Sequence, residues 1–324
     1  MVNQVGLEPT AAEFAEYFTS LSNWGRWGED DRRGTLNLIT PSVRLAAAGA
    51  VRRGQAVSLS RDLDPERPDP VHSGVTKLVR KSMMNEVEHY TGKTARWDAI
   101  GEEIIIFPHG GNCHLDGLGH ISWDGKQYNG FLEAESNNEI GSKYLDVSHA
   151  SDGLMTRGVL LDIAGLFGVE HVERGYAILP EDLLAAERRQ GVTVRTGDAL
   201  LIHSGNADAL VKYGPLFKND NPGLTDGVQT GLHASCLPFL RERGVSIMGA
   251  DGTHDVQPPV NFDYSRPIHT VCLVSMGLWL IDNMDLTALA AACESAQQWD
   301  FLFTALPWRF KGATSSPLNP VAIL

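Results

Sequence analysis

Four apolar runs with strand character, separated by helix-patterned segments, constrain the folding of this chain more than any other feature. The strand signals fall at Gly158–Ile163, Ala199–His203, Val245–Gly249 and Thr270–Ile281. Helical patterns occupy Pro180–Gln190, His233–Arg243 and Asp285–Trp299, and Gly191 and Gly244 mark where the first two stop. Strands that alternate with helices in this way predict an α/β architecture.

The amino-terminal half is patterned differently. Phe14, Tyr17, Phe18 and Leu21 have helical spacing, which predicts a helix over Ala11–Leu21 ending before Asn23-Trp24-Gly25. A second helix is expected over Pro41–Arg53, with Thr40 as N-cap, Pro41 as first helical residue and Gly54 as the stop. Ala56–Ser60 alternates as a strand, and Glu103–Phe107 reads as an apolar strand. Residues 61 to 100 show little period and suggest a long excursion over the surface or over an active site. Their Met83-Met84 pair lines a substrate pocket on one reading and fills a packing gap on the other. The Ser- and Pro-rich tail, Gly312–Leu324, is either an ordered arm or frayed. Neither a solenoid repeat nor a dividing linker stands out, so residues 1–324 read as one domain with 1–40 as an N-terminal arm.

Composition narrows the partners. Hydrophobic residues make up 43% of the chain, enough for a substantial core. Lys and Arg number 27 against 40 Asp and Glu, a formal charge of −13, and the absence of a long basic run argues against nucleic acid. An acidic start with no signal-like segment, and no apolar run of about 18 residues, argue against a membrane and for a soluble cytoplasmic protein; the enzyme readings below call for a small-molecule substrate. Cys113, Cys236, Cys272 and Cys293 are scattered without a CxxC, as reduced buried thiols are.

Chemistry concentrates in HGGNCHLDGLGH, from His109 to His120. His114 and Asp116 are two apart, so on an extended segment both leave the same face and can converge on one ion. Imidazole and carboxylate suit zinc, manganese or iron, and a site with three protein ligands keeps a position for water or substrate. His120 falls beside such a site and can move a proton. A second constellation, Gly249–Asp255 with His254 and Asp255, is followed by His269 and Asp282 at the two ends of the expected strand. His203 ends another strand, where ligand-facing groups sit in α/β folds. His203-Ser204 raises a nucleophilic serine, but Gly-x-Ser-x-Gly is absent.

HGGNCHLDGLGH is similar to the His-x-Gly-Thr-His-x-Asp-x-Pro-x-His signature of the metal-dependent cyclase family that includes bacterial kynurenine formamidase and isatin hydrolase. Other stretches resemble the family's longer branch: NWGRWGEDDRRGTLNLIT, WDGKQYNG, TRGVLLDI, TGDALLIHSG, GADGTHDVQPP and PIHTVCLVSMGLWLIDNMDL. The resemblance implies a swivelling β/β/α fold, a mixed sheet rolled into a partial barrel with helices outside. It also implies a divalent metal, Zn or Mn, and a homodimer or homotetramer whose N-terminal arm reaches a neighbour. Trp24 and Trp27 would suit such contacts, or would cover their own subunit's core. By the same resemblance His114 and Asp116 match metal ligands and His120 the catalytic acid/base. The family's first histidine stands four residues before the second, where this chain has Gly110; His109 stands five before, and a one-residue bulge would bring it to the metal. Cys113 replaces the usual Thr, and Gly117-Leu118 replaces Ala-Pro. His269 and Asp282 occupy the segment that holds a second metal in some members, at a separation about one residue longer than the resemblance leads one to expect.

The expected activity is hydrolysis of an amide, a cyclic amide or an N-acyl aromatic amine, by a metal-activated water. A lactone or ester hydrolase using the same residues, and a non-catalytic metal- or small-molecule-binding protein, are the alternatives.

Overall fold

The computed structural model describes residues 9–63, 77–84, 100–106, 109–139, 141–213, 229–257 and 266–324. Their principal element is a mixed nine-stranded sheet, curled into a half-barrel with helices outside. Its order is Ala56–Ser58, Val321–Ile323, Asp300–Ala305, Leu154–Asp162, Ala199–His203, Ile247–Ala250, Trp279–Asp282, His114–Asp116 and Ser315–Pro317. The four strands from Leu154–Asp162 to Trp279–Asp282 run parallel. Those on either side pair antiparallel.

Parallel pairing requires a crossover between strands, and the helix-patterned segments supply it. Because helices cover the sheet, its central strands are buried on both faces: Val159–Leu161, Ala199–Ile202, Ile247–Met248 and Leu280–Ile281 are all at most 3% exposed. Each Val, Leu, Ile and Met side chain among them contributes roughly 1.5–3 kcal/mol on burial, so this layer holds much of the stability. Helix ends follow local chemistry. Thr10 and Glu13 form a capping box on Ala11–Ser20, and Thr40 caps Pro41–Ala48 with Pro41 in the first turn. Gly191 and Gly244 close Pro180–Gln190 and Leu237–Arg243 in left-handed conformations.

Several elements depart from the sequence reading. The second helix stops at Ala48, where Gly49 bonds back to it, five residues before the expected end at Arg53. His233–Arg243 begins as a 3₁₀ turn, Ala234–Cys236, capped by the His233 ring. The largest difference is at Thr270–Ile281, half of which is helix: Pro267–Thr270 is α-helical and Val271–Met276 π-helical, and the strand starts at Trp279. All of Val271–Met276 is buried, so the segment has no polar face to reveal its period. The tail is not frayed. Ser315–Pro317 pairs with His114–Asp116, and Val321–Ile323 lies between Ala56–Ser58 and Asp300–Ala305.

The first helix rests on the π-helical segment of its own chain. Ser275 Oγ donates to Phe18 O at 3.0 Å, Asn23 Nδ2 to Met276 O at 2.7 Å, and Trp24 Nε1 to Val274 O at 2.7 Å. Trp24 thus covers its own subunit. Within the 61 to 100 excursion, Lys77–Met84 pairs antiparallel with Ile100–Ile106; the Met83 and Met84 side chains lie outside the described residues. No helix among the described residues is long and apolar enough to cross a membrane.

The π-helical segment is turned into its strand by Gly277, at φ +63°, and Gly34, at φ +54°, packs directly on it. A Cβ on Gly34 would stand 2.1 Å from Gly277 O. Gly34→Ala is therefore expected to destabilise the protein by about 3 kcal/mol or more, read as a lowered urea midpoint; an unchanged midpoint would rule out this close crossing.

Candidate metal centre

Residues directly opposite one another in antiparallel strands share a face. Asp282 is paired with His114, and Ser315 with Asp116, while Leu115 between them turns to the other side. One face of the His114–Asp116 strand therefore collects His114, Asp116, Asp282 and Ser315. The turn after it, closed by His120 N to Gly117 O at 2.9 Å, brings His120 back over the same face. Gly119 allows that turn: a Cβ there would meet Leu145 O at 2.8 Å.

His269 arrives by a different route. The helix from Pro267 to Met276 leads away, Gly277 reverses the chain, and Trp279–Asp282 runs back, so helix start and strand end meet. His269 Nε2 stands 3.2 Å from Asp282 Oδ2 and 3.9 Å from Asp116 Oδ2. His109 lies on a 3₁₀ turn, His109–Gly111, and not on a strand bulge. Asn283 Nδ2 donates to Gly110 O at 3.2 Å and ties that turn to the end of the Asp282 strand. The His109 ring is 5.3 Å, centroid to centroid, from both His114 and His120. The six candidate ligand and proton-moving residues, His109, His114, Asp116, His120, His269 and Asp282, thus come together.

The side chains are held from behind. His114 Nδ1 donates to Asn112 O at 2.7 Å, which leaves Nε2 3.6 Å from Asp116 Oδ1. His269 Nδ1 donates to Asp255 Oδ2 at 2.5 Å; Asp255 also accepts from Ile268 N at 2.7 Å. Ser315 Oγ donates to Asp116 Oδ1 at 2.7 Å and lies 3.2 Å from His120 Nδ1, while His120 Nε2 is 3.6 Å from Asp116 Oδ2. Ser315 carried no signal in the sequence, because a serine in a Ser-rich tail is unremarkable. His254 and Asp255 were visible as a constellation but without roles.

Electrostatics separate the imidazoles. Burial lowers the His120 pKa, His269 and His114 push the same way, and Asp116 opposes them. Burial also disfavours charge on His269, yet Asp282 and Asp255 raise it well above the usual imidazole range. Asp282 is held well below the carboxylate range by His269 and His254 in spite of its burial.

Two carboxylates, Asp116 and Asp282, are 1% and 4% exposed, and their ion pairs among the described residues are with imidazoles alone. Ligand atoms of His114, Asp116 and Asp282 lie within 4.8 Å of one another, as do those of His109, Asp116 and His120. Ligands about 2.1 Å from one ion stand roughly 3.0–3.4 Å apart, so modest adjustment makes these groups fit a divalent cation. The N and O donors suit zinc or manganese. Cys113 does not join them: it is fully buried, and burial pushes its thiol up, away from the thiolate a metal needs. All four cysteines are buried and free.

His203 belongs to a separate pair. It is matched in register with Asp162 on the neighbouring parallel strand, and His203 Nδ1 donates to Asp162 Oδ1 at 2.8 Å. Ser204 Oγ donates to Asp251 at 2.8 Å, not to His203, so the serine lacks the base that would activate it.

The family model described as "Putative cyclase" matches residues 57–255, which end before His269, Asp282 and Ser315. The solved structure of a novel cyclase is 26% identical, with a TM-score of 0.81 over 95% of this chain and 99% of that one. Isatin hydrolase A from Labrenzia aggregata, bound to benzyl benzoate, is 18% identical with a TM-score of 0.56 over 85% and 94% of the two chains. An isatin hydrolase bound to the product analogue thioisatinate is 13% identical, with a TM-score of 0.56 over 88% and 99%. Among curated proteins no relative matches.

The His203–Asp162 pair sets a pH dependence of stability. Burial opposes charge on both, but Asp162, with Asp251 and Asp208, raises the His203 pKa above 6.5, and His203 helps lower the Asp162 pKa below 3.8. The His203 contribution is full below 6.5 and is lost as pH rises through its raised folded value; the Asp162 contribution is present above 3.8 and is lost as pH falls through its lowered one. Wild type should therefore exceed His203→Gln in stability more at about pH 5.5 than at about pH 8.5. Equal differences in urea unfolding at both values would contradict the pairing.

Proposed function

The chain belongs to the cyclase family, and on that premise we propose that it is a metal-dependent hydrolase cleaving a C–N bond other than a peptide bond. The observation that carries the reading is the place of His120. It is a largely buried imidazole, its side chain 23% exposed, beside a ligand cluster that is more deeply buried, its Nε2 3.6 Å from Asp116 Oδ2. A pure binding site has no use for it.

In this reading His114, Asp116 and His109 hold a zinc or manganese ion, with Asp282 and His269 completing its shell or holding a second ion. Such an ion, when bound, activates water and polarises a substrate carbonyl. The remaining chemistry belongs to the side chains. Ser315 has one hydroxyl proton, which goes to Asp116; its oxygen can then only accept, and it takes the proton of His120 Nδ1. That selects the His120 tautomer whose Nε2 is bare, and burial keeps the ring neutral. His120 removes a proton from the attacking water as the C–O bond forms, and returns it to nitrogen as the C–N bond breaks. The substrate class we favour is a cyclic amide or an N-acyl aromatic amine, supported by likeness of fold to enzymes named for isatin, a cyclic amide.

The test is a panel of lactams, formanilides and lactones assayed with metal content measured. His114→Ala should lose most of its metal and its activity. His120→Ala should keep its metal and lose roughly 100-fold or more in amide turnover. Full activity in both variants, or wild-type metal in His114→Ala, would sink the assignment. Ser315→Ala should lower kcat by about tenfold with little change in KM, and Ser315→Thr, which restores the hydroxyl, should recover most of it. A fall that threonine does not repair would remove the tautomer role.

A further inference from the structure

His254 sits in a conformation uncommon for a residue with a Cβ, at φ +60°. Asp255 N donates to Thr253 O at 2.6 Å, closing a three-residue turn whose central residue, His254, has φ +60°. Turns of this hand are rare and strained for any residue with a Cβ. The ring is also fully buried, and neither nitrogen makes an aligned hydrogen bond; Asp282 Oδ1, equally buried, makes none either. Yet His254 Nε2 and Asp282 Oδ1 face each other at 3.1 Å. A strained backbone, a buried imidazole and a buried carboxylate oxygen are poor choices for packing alone.

The turn explains the arrangement. Its two consecutive residues reach the two members of one pair: Asp255 holds His269 from Nδ1, and His254 faces the outer oxygen of Asp282. The inner oxygen, Oδ2, is thereby left beside His269 Nε2 at 3.2 Å, and that nitrogen is in turn 3.9 Å from Asp116 Oδ2. The left-handed residue allows this, since neighbours on an extended chain would point in opposite directions. The His254 and His269 rings, at a centroid distance of 5.7 Å, flank the carboxylate rather than sharing one of its oxygens.

We propose that His254 is a positioning residue of the metal centre: it fixes Asp282 through Oδ1, so that the carboxylate presents Oδ2 to the ion without reorganising. His254 touches neither ion nor substrate in this role. The proposal rests on the reading that the cluster binds a divalent cation.

The experiment is calorimetric titration of metal-free protein with Zn²⁺ and with Mn²⁺, alongside its thermal midpoint, for wild type, His254→Gly and His254→Asn. Glycine removes both strain and ring; asparagine tolerates the left-handed backbone and keeps part of the volume. The expected result is a metal affinity lowered about 10- to 100-fold in His254→Gly, with a metal-free midpoint equal to or above that of wild type. Asparagine should be intermediate. Should His254→Gly fail to fold, His254→Asn carries the measurement alone, and a loss of roughly threefold or more in affinity is then required. Wild-type affinity in the folded variants, whether or not the midpoint falls, would overturn the role and leave His254 a packing residue. Absence of metal binding by wild type would instead overturn the reading of the cluster as a metal centre.

Discussion

Two carboxylates buried side by side are the constraint around which the rest of this structure is arranged. Asp116 and Asp282 lie on adjacent strands, both nearly inaccessible to water, where two like charges are costly unless something positive lies between or beside them. Imidazoles are their ion-pair partners among the described residues, and three of these are themselves fixed through Nδ1: His114 by Asn112 O, His269 by Asp255 and His120 by Ser315. Every orientation leaves Nε2 pointing towards the carboxylates. A cluster built only to be neutral would not need one ring nitrogen of these three histidines reserved in this way.

Topology places the cluster where the sheet changes direction. The parallel strands all end at one edge, with Asp162, His203, Asp251 and Asp282 at or just past their last residues. Trp279–Asp282 is the last of them, and its neighbour His114–Asp116 runs the opposite way, so the end of one strand pairs with the start of the other. His114 and Asp282 meet for that reason. The same reversal admits Ser315–Pro317 on the far side, which completes the face without another crossover helix.

The amount of this that the sequence disclosed depends on how local each relationship is. His114, Asp116 and His120 lie within one short segment, and their convergence follows from strand alternation and one tight turn. His269 and Asp282 were picked out by resemblance, but the strand drawn through Thr270–Ile281 would have kept them apart. A buried helix and a buried strand have the same unbroken apolar pattern, and only the return of the chain at Gly277 distinguishes them. Ser315 was out of reach for a different reason: its pairing partner, Asp116, lies 199 residues away, and nothing local in a Ser- and Pro-rich tail indicates a strand.

Backbone strain at the site is distributed by mutual support. Asn283, directly after Asp282, is also left-handed, at φ +56°, a conformation asparagine adopts more readily than most residues. It ends the strand sharply and turns its side chain to the His109–Gly111 segment. Its backbone N–H donates to Gly252 O, and Met284 N donates to Ala250 O, so the turn after Asp282 is bonded to the segment that leads into His254. Neither turn can relax without breaking the bonds of the other. Two unfavourable conformations therefore persist because each is over-determined by its neighbour, and between them they hold Asp282 from its backbone on one side and from its outer oxygen on the other. That is how a carboxylate with no Lys or Arg partner among the described residues can be kept buried, charged and aimed.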